Sequence, residues 1–320
     1  MDPVDGKKRA LRVAVTGASG GLGRILLPRL QADPGVERIL VLDRLCPPGE
    51  KLDFRAVDLI RQDAENTLVE AFAEESIDVV YHLAFPLGPR RSGTAAHELE
   101  VVGSLHVLGA AARARVPRLV VASFTALYGA RSQHPAWLTE DAPLLGCPES
   151  RFISDKVEVE TQVRDFRAHH PDTEVLLLRL APLAGPRIDT PVTRMLRRRV
   201  VPTLLGFDPL WQLLHEEDAS AALHLALRAG SPGEYNIVGL GVASLSSLIV
   251  AAGARALPLP TPLARAALRA LHGLGAVSLH VTLLDYVHYS WVADGARARK
   301  ELGFVARYDA RETAATLRRS

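Results

Sequence analysis

The sequence predicts an α/β fold: a doubly wound parallel sheet carrying a smaller, interleaved C-terminal region. Three observations predict it. Short apolar runs rich in β-branched residues alternate with longer amphipathic stretches through the first 180 residues. A glycine-rich turn, TGASGGLG at residues 16–23, joins the first of those runs to the first helix. Regularity falls away after residue 180, where LAPLAGPRIDTPV reads as loop.

In chain order, LRVAVTG (11–17) reads as a strand and GRILLPRLQA (23–32) as a helix. RILVLD (38–43) and DFRAVDL (53–59) are strands, followed by a helix near 63–74 and a strand DVVYHLA (78–84). A long helix near 94–114 leads to RLVVASF (118–124), and a helix near 151–169 leads to EVLLLRL (174–180). Strands this uniformly apolar are buried on both faces, as when helices cover both sides of a parallel sheet. Beyond the loop, residues 211–228 read as a strand end and a helix, and GEYNIVG (233–239) as a further strand. TPLARAALRALHG (261–273) has helix start and stop signals and one apolar stripe of Leu263, Ala267, Leu268 and Leu271, expected to pack on the C-terminal region.

Composition narrows the function. A net charge of +2 over 320 residues argues against nucleic acid as the main partner. Two cysteines, Cys46 and Cys147, make neither a disulfide framework nor a cysteine zinc site, and no HExxH or HxxxH pattern supports a metal. The first fifteen residues lack a signal-peptide core, and no stretch of about 18 uncharged apolar residues suggests a transmembrane helix. The expectation is a cytoplasmic protein acting on a small molecule, with no nucleic acid, membrane or metal.

The chemistry begins at the turn. Gly17, Gly20 and Gly23 have GxxGxxG spacing directly after a strand and before a helix. Glycines let the backbone turn sharply and a pyrophosphate come close, while the helix N-terminus offers free N–H groups and a positive dipole end. Gly17, Ser19, Gly20, Gly21, Leu22 and Gly23 are therefore the candidate cradle of a dinucleotide. Asp43 ends the next strand, 20 residues after Gly23, where a carboxylate accepts from the adenosine ribose diol. It favours NAD, while the adjacent Arg44 leaves NADP open. Asp58, after the third strand, is placed to accept from the adenine amino group. Residues 1–180 then form the dinucleotide-binding unit, with 211–240 returning to it, and 181–320 is mainly substrate-binding.

TGASGGLG, Asp43, Asp58-Leu59, YHLA (81–84), SFTALYG (123–129) and AGP (184–186) resemble the extended short-chain dehydrogenases. These include the NAD-dependent epimerase/dehydratases, which act mostly on nucleotide sugars. The resemblance runs from residue 11 to about residue 240. It implies a Rossmann-type sheet, NAD as cofactor, substrate bound between the two regions, and a homodimer through the helices near 94–114 and 151–169. It also implies that Leu59, Leu83 and Ala84 line the dinucleotide. The family uses a Ser or Thr, a Tyr and a Lys four residues after the Tyr. Here the matching helix reads FISDK, so Lys156, which the resemblance implies as the holder of the nicotinamide ribose, is present and the tyrosine position holds Phe152. The Ser/Thr position holds Phe124, flanked by Ser123 and Thr125, and a family asparagine aligns with Glu100.

Two readings follow. In one, hydride transfer continues near Lys156 on a nucleotide sugar or similar small anionic substrate, with Thr125, Ser123 or Tyr128 as proton donor, or Tyr81 or Ser154 recruited. In the other, the protein is a catalytically degenerate dinucleotide-binding or sensor protein. An apolar pocket beside the nicotinamide would favour the second, and a lipid-type substrate would call for a greasy, open cleft. His82 is expected as a satisfied core histidine, Asp218 as a helix cap, Arg179 as a brace beneath the substrate loop, and Arg194, Arg197, Arg198 and Arg199 as a site for an anionic group or a solvated face.

Overall fold

The computed structural model describes residues 9–50, 52–87, 93–274 and 281–318. The central sheet has seven strands: β1 (Leu11–Thr16), β2 (Val36–Asp43), β3 (Leu52–Ala56), β4 (Val79–His82), β5 (Arg118–Phe124), β6 (Glu174–Leu180) and β11 (Gly233–Ile237). All are parallel, in the order β11-β6-β5-β4-β1-β2-β3. The chain starts in the middle, winds out to β3, then returns past β1 to β4 and beyond. That reversal puts a crevice at the C-terminal ends of β1 and β4, where ligands of such sheets bind.

The helices are α1 (Gly21–Ala32), α2 (Ala64–Glu74), α3 (Gly93–His97), α4 (Gly103–Arg113), α5 (Arg151–His169), α6 (Pro191–Leu196), α7 (Glu216–Leu225), α8 (Leu245–Ala251), α9 (Thr261–Gly273) and α10 (Ala310–Ala315). Crossover helices cover the sheet, α2 packing on α4 and α1 on α7. The strand interiors are consequently buried, with Val13, Val80, Val120 and Leu178 fully so. The helix expected near 94–114 is present but interrupted. Residues Glu98–Val102 form a π-helical turn between α3 and α4. Such a turn inserts a residue and re-aims side chains, which is why π-bulges gather at functional sites.

The remaining strands are short: β7 (Leu183–Ala184) with β10 (Leu214–His215), β8 (Val200–Leu204) with β13 (Arg255–Leu259), and β9 (Leu210–Trp211) with β12 (Ala243–Ser244). They surround a second core containing Trp211, Leu248, Ile249 and Trp291. Leu127, Tyr128, Leu138 and Ile153 belong to this second core, although they precede residue 180. The chain thus passes between the two cores around residues 124–153, and the crevice lies at that seam.

Two local expectations are corrected. Asp218 does not cap α7; His215 does, its Nδ1 accepting from Glu217 N–H, while Asp218 accepts from the backbone N–H groups of Arg307 and Tyr308. The apolar stripe of α9 is not packed away: among its described residues only Ala264 is buried. Leu263 and Leu271 lie in the open, 56% and 44% exposed.

Candidate dinucleotide and substrate site

The turn after β1 is built around the absence of side chains. Gly17 has φ +74°, in the left-handed region, and a Cβ there would lie 2.4 Å from the Cα of Ala84. A Cβ on Gly23 would lie 2.4 Å from the Cα of Ala18, so only glycine lets α1 dock this close to the turn. Gly20 caps α1 in an extended conformation with no side-chain hydrogen bond. Its own N–H donates to Gly17 C=O. The next amides, of Gly21, Leu22 and Gly23, have no acceptor within the helix. Leu22 buries its side chain in the main core, so it offers the turn only its backbone. Three free N–H groups at a helix N-terminus, in a cradle that a Cβ would fill, fit a pyrophosphate.

Asp43 ends β2 beside this cradle. Its Oδ2 accepts from the N–H and the hydroxyl of Ser19, both at 2.8 Å. Arg44 is turned onto Asp58, 3.7 Å away. Leu59 is buried against Gly103, where a Cβ would stand 3.1 Å from the leucine. Leu83 and Ala84 follow β4, Leu83 N–H donating to Thr16 C=O, so their backbone forms the floor under Gly17. The sequence-predicted cofactor residues other than Lys156 therefore sit around the crevice.

Lys156 stands at its other end. On α5 it lies one turn after Phe152, on the same face. It is only 4% exposed, with Nζ 3.3 Å from Glu100 Oε2. The π turn aims Glu100 inward, and its carboxylate is 1% exposed. Nζ also lies over three phenyl rings: Phe85 and Phe124 at 4.8 Å and Phe152 at 5.1 Å from the centroids. Burial pushes the lysine below its ordinary value, with Glu100 pulling the other way. Burial likewise pushes the Glu100 carboxyl up against the pull of Lys156. A desolvated cation over an aromatic ring gains about 2 kcal/mol or more, so the cage stabilises the ammonium.

The cleft beside this cage has a volume of about 120 Å³. Phe124, Ala126, Phe152, Leu183 and Val192 contribute to an almost wholly apolar wall. Of its polar groups, the Thr190 hydroxyl donates to Leu183 C=O and caps α6, and the Trp291 indole N–H donates to Tyr286 C=O. Lys156 supplies the remaining polar side chain of the described lining.

A family model described as the NAD dependent epimerase/dehydratase family matches residues 13–238. The chain belongs to this family. An uncharacterized protein of Mycobacterium tuberculosis (strain ATCC 25618 / H37Rv) is 34% identical over 302 residues, 91% of this chain and 79% of the relative. The L-arabinose 1-dehydrogenase (NAD(P)(+)) of Haloferax volcanii is 33% identical over 178 residues, 53% of this chain and 66% of the relative. Among solved structures, the UDP-glucose 4-epimerase of Thermotoga maritima with UDP-glucose superimposes with a TM-score of 0.74 at 17% identity, covering 96% of this chain and 97% of the other. MoeE5 in complex with UDP-glucuronic acid and NAD superimposes with a TM-score of 0.73 at 24% identity, covering 95% and 97%. At these identities the structural likeness is one of fold.

Against the family's proton-transfer set, this epimerase/dehydratase relative places its hydroxyls elsewhere. Ser123 Oγ donates to Glu160 Oε1 in the core. Tyr128 is fully buried, its hydroxyl donating to Asn236 Oδ1 at 2.7 Å and accepting from Arg179 Nη1 at 2.8 Å. Both side chains belong to a buried network centred on Arg179, whose guanidinium forks onto Glu160 at 2.7–3.2 Å and donates to Glu140 C=O. Burial works against the Arg179 charge, yet the Glu160 carboxylate holds its pKa above the ordinary value. Ser123 and Tyr128 thus do not reach the cleft. Thr125 is 2% exposed and lies outside the cleft wall. Tyr81 donates to Leu223 C=O in the core, and Ser154 donates to Arg151 C=O at the surface.

His82 is a core histidine, bonded to Thr16 and Ser104 and pushed down to about 3 by burial. Of the arginine cluster, Arg194 pairs with Asp189 and Arg197 donates to Gly185 and Pro186 C=O, so both brace the loop. Among the described residues His97, Asp155 and Glu158 group potential metal ligands, with His97 already hydrogen-bonded to Asp155 at 2.9 Å. Sequence reasoning missed Glu160 and Phe85. Glu160 sits one turn after Lys156 and could have been found as a carboxylate on the inward face of α5; Phe85 carried no signal.

Proposed function

We propose that this family member binds NAD through the turn at Gly17–Gly23 and does not run tyrosine-dependent proton transfer on a nucleotide sugar. It acts as a dinucleotide-binding protein whose cofactor occupancy is the functional output. One observation carries the reading: Lys156 is enclosed by Phe85, Phe124, Phe152 and Glu100, and two of these, Phe124 and Phe152, stand where the family reaction needs hydroxyls. When bound, NAD would supply a hydride acceptor. The residues that would hold it are the cradle amides, Asp43 toward the ribose and Lys156 toward the nicotinamide end. The cleft supports the reading too. A sugar buried against this wall would leave its hydroxyls without partners, which weakens recognition steeply.

The test is titration of the purified chain with NAD⁺, NADH, NADP⁺ and NADPH, then a nucleotide-sugar panel offered to the wild type and to a Phe124→Thr/Phe152→Tyr double variant. The expected outcome is NAD(H) binding without turnover in the wild type. A positioned acid contributes on the order of 10²–10⁴ in rate, so turnover appears or rises by that order when the hydroxyls are restored. Wild-type turnover as fast as that of the double variant would sink the proposal.

A second reading keeps redox turnover on a small anionic substrate, with Lys156 itself as the acid. One observation favours it: Lys156 reaches the cleft wall with an ammonium whose pKa burial lowers. It predicts wild-type turnover that falls with Lys156→Met while Phe152→Tyr leaves it unchanged.

A further inference from the structure

Helix α9 is amphipathic and uncovered. At 100° per residue, Leu263, Ala267, Leu271 and Leu274 share one face, with Arg265 and Arg269 on the opposite side. Only Ala264 is buried; Leu263, Leu271 and Leu274 are 56%, 44% and 82% exposed. The neighbouring β8–β13 pair continues the surface. Leu205 N–H donates to Leu259 C=O, two residues before α9 begins, and Leu205 and Leu257 are both exposed.

The charges carried by α9 and by the β8–β13 pair are of one sign. No Asp or Glu occurs in residues 235–284 or 190–207. Those segments carry Arg194, Arg197, Arg198, Arg199, Arg255, Arg265 and Arg269. Arg194 and Arg197 are committed to the loop before α6, which leaves the others for a partner. A helix with one apolar face, arginines on its other side and no carboxylate of its own is complementary to a surface that is greasy and anionic. A second copy of this chain is disfavoured by the same count, since a two-fold contact of α9 and the β8–β13 pair would set arginine against arginine with no carboxylate on those elements to pair them.

We propose that α9, with the adjoining edge of β8 and β13, is a membrane-surface contact that lies on an anionic lipid bilayer. Among the described residues no helix is long and apolar enough to cross a membrane, so the contact is interfacial. Leucines enter the headgroup boundary while the arginines hold lipid phosphates. The α6–β8 segment joins this surface to the cleft, because Pro191 and Val192 line the cleft and the chain then runs directly into β8.

The test is co-sedimentation of the full chain with phosphatidylcholine vesicles, with and without phosphatidylglycerol. Wild type is expected to bind the anionic vesicles and to be released by salt. Leu263→Glu/Leu271→Glu should lower partitioning at least tenfold. Arg265→Gln/Arg269→Gln should lower it about thirtyfold, since each arginine at an anionic surface contributes about 1 kcal/mol. All four positions are solvent-exposed, so NAD titration and circular dichroism should match wild type and confirm folding. Three results would overturn the proposal: no binding to anionic vesicles, equal binding to both vesicle types, or a concentration-dependent dimer that Leu271→Glu dissociates in the absence of lipid binding.

Discussion

Replacing Arg179 with methionine is expected to destabilise the folded chain by about 3–5 kcal/mol, because it strands a carboxylate in the core. Arg179 is 0% exposed and Glu160 1%, and the pair is bidentate. The guanidinium also accounts for a Tyr128 hydroxyl lone pair and for Glu140 C=O. Methionine fills much of the volume and satisfies none of these groups, so the loss is electrostatic rather than a cavity. The measurement is the urea midpoint of Arg179→Met, Glu160→Leu and the two combined. The double variant should recover a large part of the single variant's deficit, since an apolar pair leaves no orphaned charge. A single variant within about 1 kcal/mol of wild type would mean that Glu160 is protonated or hydrated when alone, and that the network is not the brace described.

The second large effect is on cofactor. Gly17→Ala should weaken NAD binding by more than about a hundredfold, since a contact of 2.4 Å with the Ala84 backbone cannot be relieved by a side-chain rotation. The left-handed φ of +74° adds about 1–2 kcal/mol of strain. Gly303→Ala separates the two causes. Gly303 has φ +69° and open space around its Cβ position, so it carries strain without collision. Gly303→Ala should lose stability and keep its NAD affinity, whereas Gly17→Ala should lose affinity at temperatures where it is still folded. Retained NAD affinity in Gly17→Ala would remove the turn from the binding site.

The parts of the site that could be read in advance are those governed by local backbone. GxxGxxG between a strand and a helix needs only neighbouring residues to make a cradle, and the structure puts Gly17, Gly23 and Asp43 around one crevice. The i, i+4 spacing of Phe152 and Lys156 likewise places both on one helix face before any packing is known. The hydroxyls were not readable in this way. Ser123 stands next to the right position in sequence and Tyr128 four residues beyond it, yet each donates to a partner more than 30 residues away, on α5 or β11. Glu100 reaches Lys156 because a π turn interrupts a helix whose periodicity alone predicts a regular run.

The sequence by itself determined the fold class, the glycine-rich turn after the first strand and the absence of a tyrosine at position 152, because each depends on residue type and short-range spacing. Tertiary structure decided how that loss is filled. Three phenylalanines from β5, α5 and the segment after β4 close around one lysine, while the Ser123 and Tyr128 hydroxyls are drawn into the Arg179 network. It also decided that the apolar stripe of α9 stays outside both cores. Amphipathicity sets which face of a helix is apolar; whether another element lies against that face depends on contacts between distant segments, which periodicity does not encode.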